Sequence, residues 1–410
     1  MPPRSPLAPP VAPDARPVAG VRLAAAACGV RYRGRADVCL IEFAPGTAVA
    51  GVFTRSLTAS APVERCRSHL SGGRARAILV NAGNANAFTG RAGVAAVDRL
   101  VKAVAARLGC RPREVFVAST GVIGEPLPDE RIRAGLDGLA AGLDGAAWPA
   151  AAAAIMTTDT FPKLATRTAE IGGVPVVING IAKGSGMIAP DMATLLAFVA
   201  TDAKLPAAVL QPLLRRAAAR SFNATTVDSD TSTSDTVLLC ATGRGPRHPA
   251  PAAPGDRLLR DFRVKLEDLM IDLACQVVRD GEGASKFVTV TVTGAASSRA
   301  ARVIGLAVAN SPLVKTAIAG SDANWGRIVM AVGKSGQRVD RDRLSVAIGG
   351  VVIAEKGARR PDYDEAPVAR HMQGSEIDIA VDAGVGRGRA RVWTCDLTHG
   401  YIEINADYRS

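Results

Sequence analysis

The segment Gly180-Ile-Ala-Lys-Gly-Ser-Gly-Met-Ile-Ala-Pro-Asp-Met-Ala-Thr194 sets three glycines around one lysine, then a proline, then a threonine that opens an apolar run. Three readings suit it. A flexible loop before a strand is the plainest. A phosphate cradle is the second, because Gly-rich backbone can turn N–H groups toward an anion. However, the spacing is not that of GxxxxGK followed by Ser or Thr, and the next element reads as a strand rather than a helix. The third is self-cleavage. A hydroxyl held at a strand start can attack its own preceding carbonyl, and hydrolysis of the ester leaves Thr194 as a new N-terminus. Its α-amine, with a pKa near ~8, is partly neutral at physiological pH and can take the proton of its own hydroxyl. No histidine is needed. The chain has only four (His69, His248, His371, His399), none in a nucleophile-elbow context.

A second segment, Ser119-Thr120-Gly121-Val-Ile-Gly124, follows an apolar run. Read as a turn after a strand, it can aim a backbone N–H and a hydroxyl at one spot, as an oxyanion hole requires. Further polar clusters are Asn81–Asn86, Thr157–Thr160, Asp228–Asp235, Asp280–Gly283 and Asn324–Arg327. Each has the composition of a cap or turn. The acidic cluster 228–235 lacks the acid spacing and closing Glu of a calcium loop, so a structural or site-lining role is expected. The seven cysteines are scattered without a CxxC pair, and neither a zinc site nor a disulfide framework is indicated. No metal and no cofactor are expected.

These residues need a scaffold. A chain of 410 residues exceeds one small domain and suggests two or three lobes. With 48% hydrophobic but only 4% aromatic residues, Ala, Val, Leu and Ile must fill the core. Residues 1–18 are Pro-rich and read as a disordered tail without the apolar stretch of a secretory signal. Strands are expected at 38–43, 48–53, 77–80, 114–118, 174–178, 194–200, 236–239, 286–293, 343–354, 376–382 and 389–395. Helices are expected at 91–108, 129–143, 150–156, 205–220, 258–279 and 298–309. The mixture gives an α/β protein. No apolar run is long enough to cross a bilayer, so a cytoplasmic location without membrane association is expected. The net charge of +12 comes from residues dispersed along the chain. With no basic run and no interleaved aromatics, it gives no phosphate stripe, and nucleic-acid binding is not expected. An acidic small substrate would suit the balance.

At KGSGMIAPDMATLLAF the chain resembles the ornithine acetyltransferase (glutamate N-acetyltransferase) family, the self-cleaving enzymes of the cyclic arginine pathway. The resemblance extends through GVFTRSLTASAPV (51–63), NAGNANAFTG (81–90), STGVIG (119–124), MTTDTFPK (156–163) and SFNATTVDSDTSTSDTVLL (221–239). It continues in DGEGASK (280–286), NSPLVKTAIAGSDANWGRI (310–328) and LTHGYIEINADYRS (397–410). Ser321 and Ser285 depart from the residues usual in those motifs, an acid and a threonine.

The resemblance implies a layered core of the N-terminal-nucleophile type, shared with self-processing aminopeptidases, and a smaller C-terminal α/β domain from about residue 287 to 410. It implies cleavage between Ala193 and Thr194, giving an α chain ending at 193 and a β chain of 194–410. Thr194 is then the nucleophile, Thr120 and Gly121 the oxyanion pair, and Thr160, Lys183, Thr194, Glu282, Asn405 and Ser410 the substrate contacts. The implied reaction moves acetyl from N²-acetylornithine to L-glutamate through an acetyl-threonine. Acetyl-CoA is a candidate second donor, and two α with two β chains form the implied heterotetramer. The charge of Lys183 suits the substrates' shared α-carboxylate, and Glu282 would face an ammonium group. The competing expectation is a self-processing N-terminal-nucleophile aminopeptidase or amidase, with water as acceptor.

Overall fold

The computed structural model describes residues 3–11, 15–189 and 195–406. Strands β1 (Val21–Ala26), β2 (Val38–Phe43) and β3 (Ala48–Phe53) open the ordered chain. Helix α1 (Ala61–Leu70), β4 (Ala77–Asn84), α2 (Gly90–Leu108) and β5 (Val115–Val122) follow. Next come α3 (Asp129–Ala134), α4 (Leu136–Ala141), α5 (Trp148–Ala154), β6 (Lys163–Ile171) and β7 (Val174–Lys183). Then come β8 (Leu196–Thr201), α6 (Ala207–Arg220), β9 (Thr236–Ala241) and α7 (Arg260–Arg279). The last part holds β10 (Phe287–Ala295), α8 (Ser298–Ala309), α9 (Pro312–Ala319), α10 (Trp325–Gly333), β11 (Ser345–Ile348) and β12 (Val351–Glu355). It closes with β13 (Ala358–Arg359), α11 (Glu365–Met372), β14 (Glu376–Asp382), β15 (Gly388–Cys395) and α12 (His399–Ala406).

The strands form three sheets, ordered β1-β2-β4-β5, β3-β9-β8-β7-β6 and β13-β12-β11-β14-β10-β15. Strand β8 shows how they build a layered α/β molecule. Side chains alternate along a strand. Leu196, Phe198 and Ala200 therefore enter the apolar cluster shared with the first sheet and α5. Ala197 and Val199 enter the one packed by α6 and α7. Being apolar on both faces, β8 has no polar side to show solvent. The buried residues of the third cluster run from Val288 to Ala383, around the six-stranded sheet.

The second sheet brings its strand ends together. Lys163 at the start of β6 pairs with Ala182, and Lys183 at the end of β7 pairs with Leu196 at the start of β8. Leu196 in turn pairs with Thr236 at the start of β9. The β7–β8 connection, which carries the Gly-rich segment, therefore starts and ends at one end of this sheet's strands.

Three expectations from sequence are revised. Ser119-Thr120-Gly121 is not a turn after a strand but part of β5, whose parallel partner β4 runs on through the Asn/Gly cluster to Asn84. At that crossing Gly121 has φ +132° and lies so close to β4 that a Cβ would stand 2.2 Å from the Gly83 carbonyl carbon. The expected helix 129–143 breaks at Gly135 into α3 and α4. The Pro-rich N-terminal stretch makes specific contacts: Leu7 and Val18 are buried, and Ser5 bonds to Thr160 and Arg279.

Candidate active site

A cavity of about 660 Å³ opens beside the converging strand ends, lined in part by Tyr32, Arg33, Arg35, Thr157, Thr158 and Glu282. Its floor is a buried ionic cluster. Lys163 Nζ donates to Asp159 Oδ1 and to Asp280 Oδ2, both at 2.6 Å. Asp159 Oδ1 also accepts from the Gly184 amide at 2.7 Å, which ties the Gly-rich loop to the TTDT segment. Burial alone would raise the Asp159 carboxyl, but Lys163 and then Lys183 hold it well below the usual carboxylate range. Burial would likewise lower the Lys163 amine, but the two carboxylates outweigh it and raise it.

Lys183 is equally sealed from water, at 3% exposed. Its Nζ donates to Thr157 Oγ1 at 2.8 Å, and Asp159 Oδ2 is 3.8 Å away. Burial lowers its pKa; Asp159 offsets only part of this, and Lys163 adds repulsion. Lys183 is thus weakly compensated, and it lies behind the cavity-lining Thr157.

The β7–β8 connection is gripped at the described residues on both sides of 190–194. Asp228 accepts from the Met187 amide at 2.5 Å and from the Ile188 amide at 2.9 Å. Met187 is held there at φ +56°, a conformation uncommon for residues other than glycine. Asp235 Oδ1 accepts from the Leu195 amide at 2.8 Å, and the Thr236 amide donates to the Leu195 carbonyl at 3.1 Å. Asp235 is fully buried, and burial, only partly offset by the Leu195 amide, raises its carboxyl well above the ordinary value. The acidic cluster 228–235 thus holds the loop at both ends, the structural role expected of it.

The last helix closes the cavity. Asn405 Nδ2 donates to Glu282 Oε2 at 2.9 Å, and the Glu282 amide donates to the Ser185 carbonyl at 3.1 Å. Thr398 Oγ1 donates to the Gly283 carbonyl at 2.6 Å. Gly283, at φ +71°, admits α12 so closely that a Cβ would meet the Tyr401 nitrogen at 2.3 Å. Among the described residues, no group of three or more His, Cys, Asp or Glu side chains could hold a metal ion. No described helix is long and apolar enough to cross a membrane.

The structure therefore brings together four of the residues singled out from sequence: Thr160, Lys183, Glu282 and Asn405. Thr120 and Gly121 stand on β5. Beside Gly121, a Cβ on Gly83 would lie 3.2 Å from the cavity residue Tyr32, but neither Thr120 nor Gly121 is among the described residues that line the cavity. Ala193, Thr194 and Ser410 lie outside the described residues. Within TTDT, the Thr160 hydroxyl donates to Asp280 at 2.5 Å and accepts from the Ser5 amide at 2.9 Å. It is committed to the scaffold, and Thr157 is the hydroxyl beside Lys183. At both motif departures the serine hydroxyl is engaged. Ser285 Oγ donates to Asp396 at 2.5 Å, and Ser321 Oγ accepts from Lys286 at 2.6 Å.

The ArgJ family model matches residues 22–410. The chain belongs to the ArgJ family. Similar relatives include the arginine biosynthesis bifunctional protein ArgJ of Gluconobacter oxydans, 60% identical over 100% of this chain and 96% of that protein. The protein of the same name from Agrobacterium fabrum is 56% identical over 99% of each. A crystal structure of arginine biosynthesis bifunctional protein ArgJ from Bacillus halodurans is similar over 52% of this chain and 98% of that one, with 38% identity and a TM-score of 0.49. Beside the cavity this ArgJ-family chain has an ionic cluster that sequence reasoning did not single out. Lys163, Asp159 and Asp280 form one cluster, yet Asp280 stands 117 residues from Lys163, and no local spacing links them.

Proposed function

We propose that this chain is a self-cleaving acetyltransferase that moves acetyl from N²-acetylornithine to L-glutamate for arginine biosynthesis. The relatives' names and the site chemistry both support the reading. One observation carries it: a cavity that presents both cations and carboxylates lies beside a loop gripped at Met187–Ile188 and again at Leu195. Amino acids carry an ammonium and a carboxylate, and a mixed lining suits both. Ala193 and Thr194 stand in the sequence between these two held points.

Cleavage between Ala193 and Thr194 frees the Thr194 α-amine and leaves chains ending at 193 and starting at 194. Thr194 Oγ1 then attacks the acetyl carbonyl of acetylornithine, its proton passing to the α-amine. The oxyanion is held at the Thr120–Gly121 strand segment; losing one such donor typically costs about 10²–10³ in rate. The C–N bond breaks, the amine of ornithine takes the proton, and acetyl remains on Thr194. The α-amine of glutamate attacks this ester and leaves as N-acetylglutamate. Lys183, with the Thr157 hydroxyl it holds, meets the substrate α-carboxylate, and Glu282, oriented by Asn405, meets the ornithine ammonium. Ser410 adds a last contact. The C-terminal part from about 287 packs as a smaller domain that carries α12 to the site. No cofactor is required, acetyl-CoA serves as a second donor, and the cleaved chains assemble in pairs in the cytoplasm.

The test is kinetic. Glutamate should accelerate ornithine release with ping-pong behaviour. Release at the same rate with and without glutamate would instead support a hydrolase. Thr194→Ala should stay uncut and inactive, and the appearance of both fragments in that variant would refute the nucleophile.

A further inference from the structure

We propose that Arg4, carried on the segment Pro3–Leu7, is the cation that recognises the side-chain carboxylate of the acetyl acceptor. The inference rests on the acetyl-transfer reading above. That reading sets a chemical problem: one cavity must first take a donor ending in an ammonium and then an acceptor ending in a carboxylate. Glu282 answers the first need. The second needs a cation that no other group has already engaged.

The cavity-lining arginines are Arg4, Arg33 and Arg35. Arg35 stacks on the Tyr32 ring at 3.8 Å and donates to the Met156 carbonyl, so it belongs to the wall. Lys183 is held by Thr157 and Asp159. Arg4 and Arg33 remain, and they differ in how they are supported. The segment bearing Arg4 is pinned beside it: the Ser5 amide donates to Thr160 Oγ1 at 2.9 Å and Ser5 Oγ to the Arg279 carbonyl at 2.6 Å. Two residues on, Leu7 is buried against the cluster of α6 and α7. Arg4 itself gives one N–H to the Pro9 carbonyl at 2.7 Å. A guanidinium has five donors in a planar fork, so a bidentate carboxylate contact remains open. Pro3 and Pro6 restrict the backbone on either side. A mobile tail would give no such preorganisation. The contacts also tie this segment to Thr160, before the proposed cleavage point, and to Arg279, after it.

The experiment compares Arg4→Gln, Arg4→Lys and Arg33→Gln in the full-length protein, with glutamate and its neutral isostere glutamine as acceptors. A charged hydrogen bond at an exposed wall is worth about tenfold. Arg4→Gln should raise KM for glutamate by about that factor and lower the preference for glutamate over glutamine equally. KM for acetylornithine and the initial ornithine burst should hold, and Arg4→Lys should recover part of the preference. An unchanged glutamate KM in Arg4→Gln overturns the assignment. So does an equal rise in both KM values, which marks a structural role, or a lost preference in Arg33→Gln alone. Absence of an ornithine burst in the unmodified protein overturns the acetyl-transfer reading itself, and this inference with it.

Discussion

Two lysines lie within one ionic cluster, sealed from water to nearly the same degree, and their pKa values are shifted in opposite directions. Lys163 is flanked by two carboxylates at 2.6 Å and is held charged. Lys183 has its nearest described carboxylate at 3.8 Å, and that carboxylate already serves Lys163. Burial sets the same penalty on both; the number of partners decides the outcome. Lys163 belongs to the scaffold, joining the TTDT segment to the residues after α7. Lys183 is left under-compensated behind the cavity-lining Thr157, the place where the proposed function puts the substrate carboxylate.

Lys163→Met is expected to show the largest effect on stability. It strands Asp159 and Asp280 in the interior, and breaking a buried pair from one side costs about 3–5 kcal/mol. Urea unfolding would measure it; a loss below about 1 kcal/mol would break the contrast. Adding Asp280→Asn to that variant should recover about 1–2 kcal/mol, because one uncompensated charge is removed. Lys183→Met should change stability by less than about 1 kcal/mol but lower kcat/KM by about 10²-fold, roughly the loss of a buried charged contact to substrate. The smallest effect concerns pH. The Lys183 pKa is lower folded than unfolded, so its charge opposes folding. The penalty is full below the folded pKa and fades as pH rises toward the unfolded value. Any advantage of Lys183→Met over the parent chain in unfolding midpoint should therefore be larger at neutral pH than at about pH 10. A gap that widens with pH would contradict the sign.

The apolar strands were legible because local pattern decides them: β8 is hydrophobic on both faces and could only be buried. The extension of β4 and β5 was not. Asn, Gly and Ser-Thr-Gly are turn formers locally, and only the partner strand, approaching at a position where Gly121 alone leaves room, turns them into sheet. Thr160 and Thr157 have the same side chain three residues apart, and their roles separate only when Asp280 and Lys183 arrive from elsewhere in the chain. The Pro-rich start has the composition of a tail. Its single buried leucine and one serine, with two hydrogen bonds to distant parts of the chain, are too little signal to read as a cavity wall. The four collected site residues came from motif resemblance, whereas the cluster beneath them depends on contacts that no spacing encodes.

The central claim is an acetyl group carried by Thr194, and intact-mass analysis after brief exposure to acetylornithine without acceptor tests it most directly. The account expects two fragments divided at Ala193/Thr194. The fragment beginning at Thr194 should be heavier by one acetyl group, which glutamate then removes. An uncut chain that still transfers acetyl, or acetyl found on the other fragment, would contradict it.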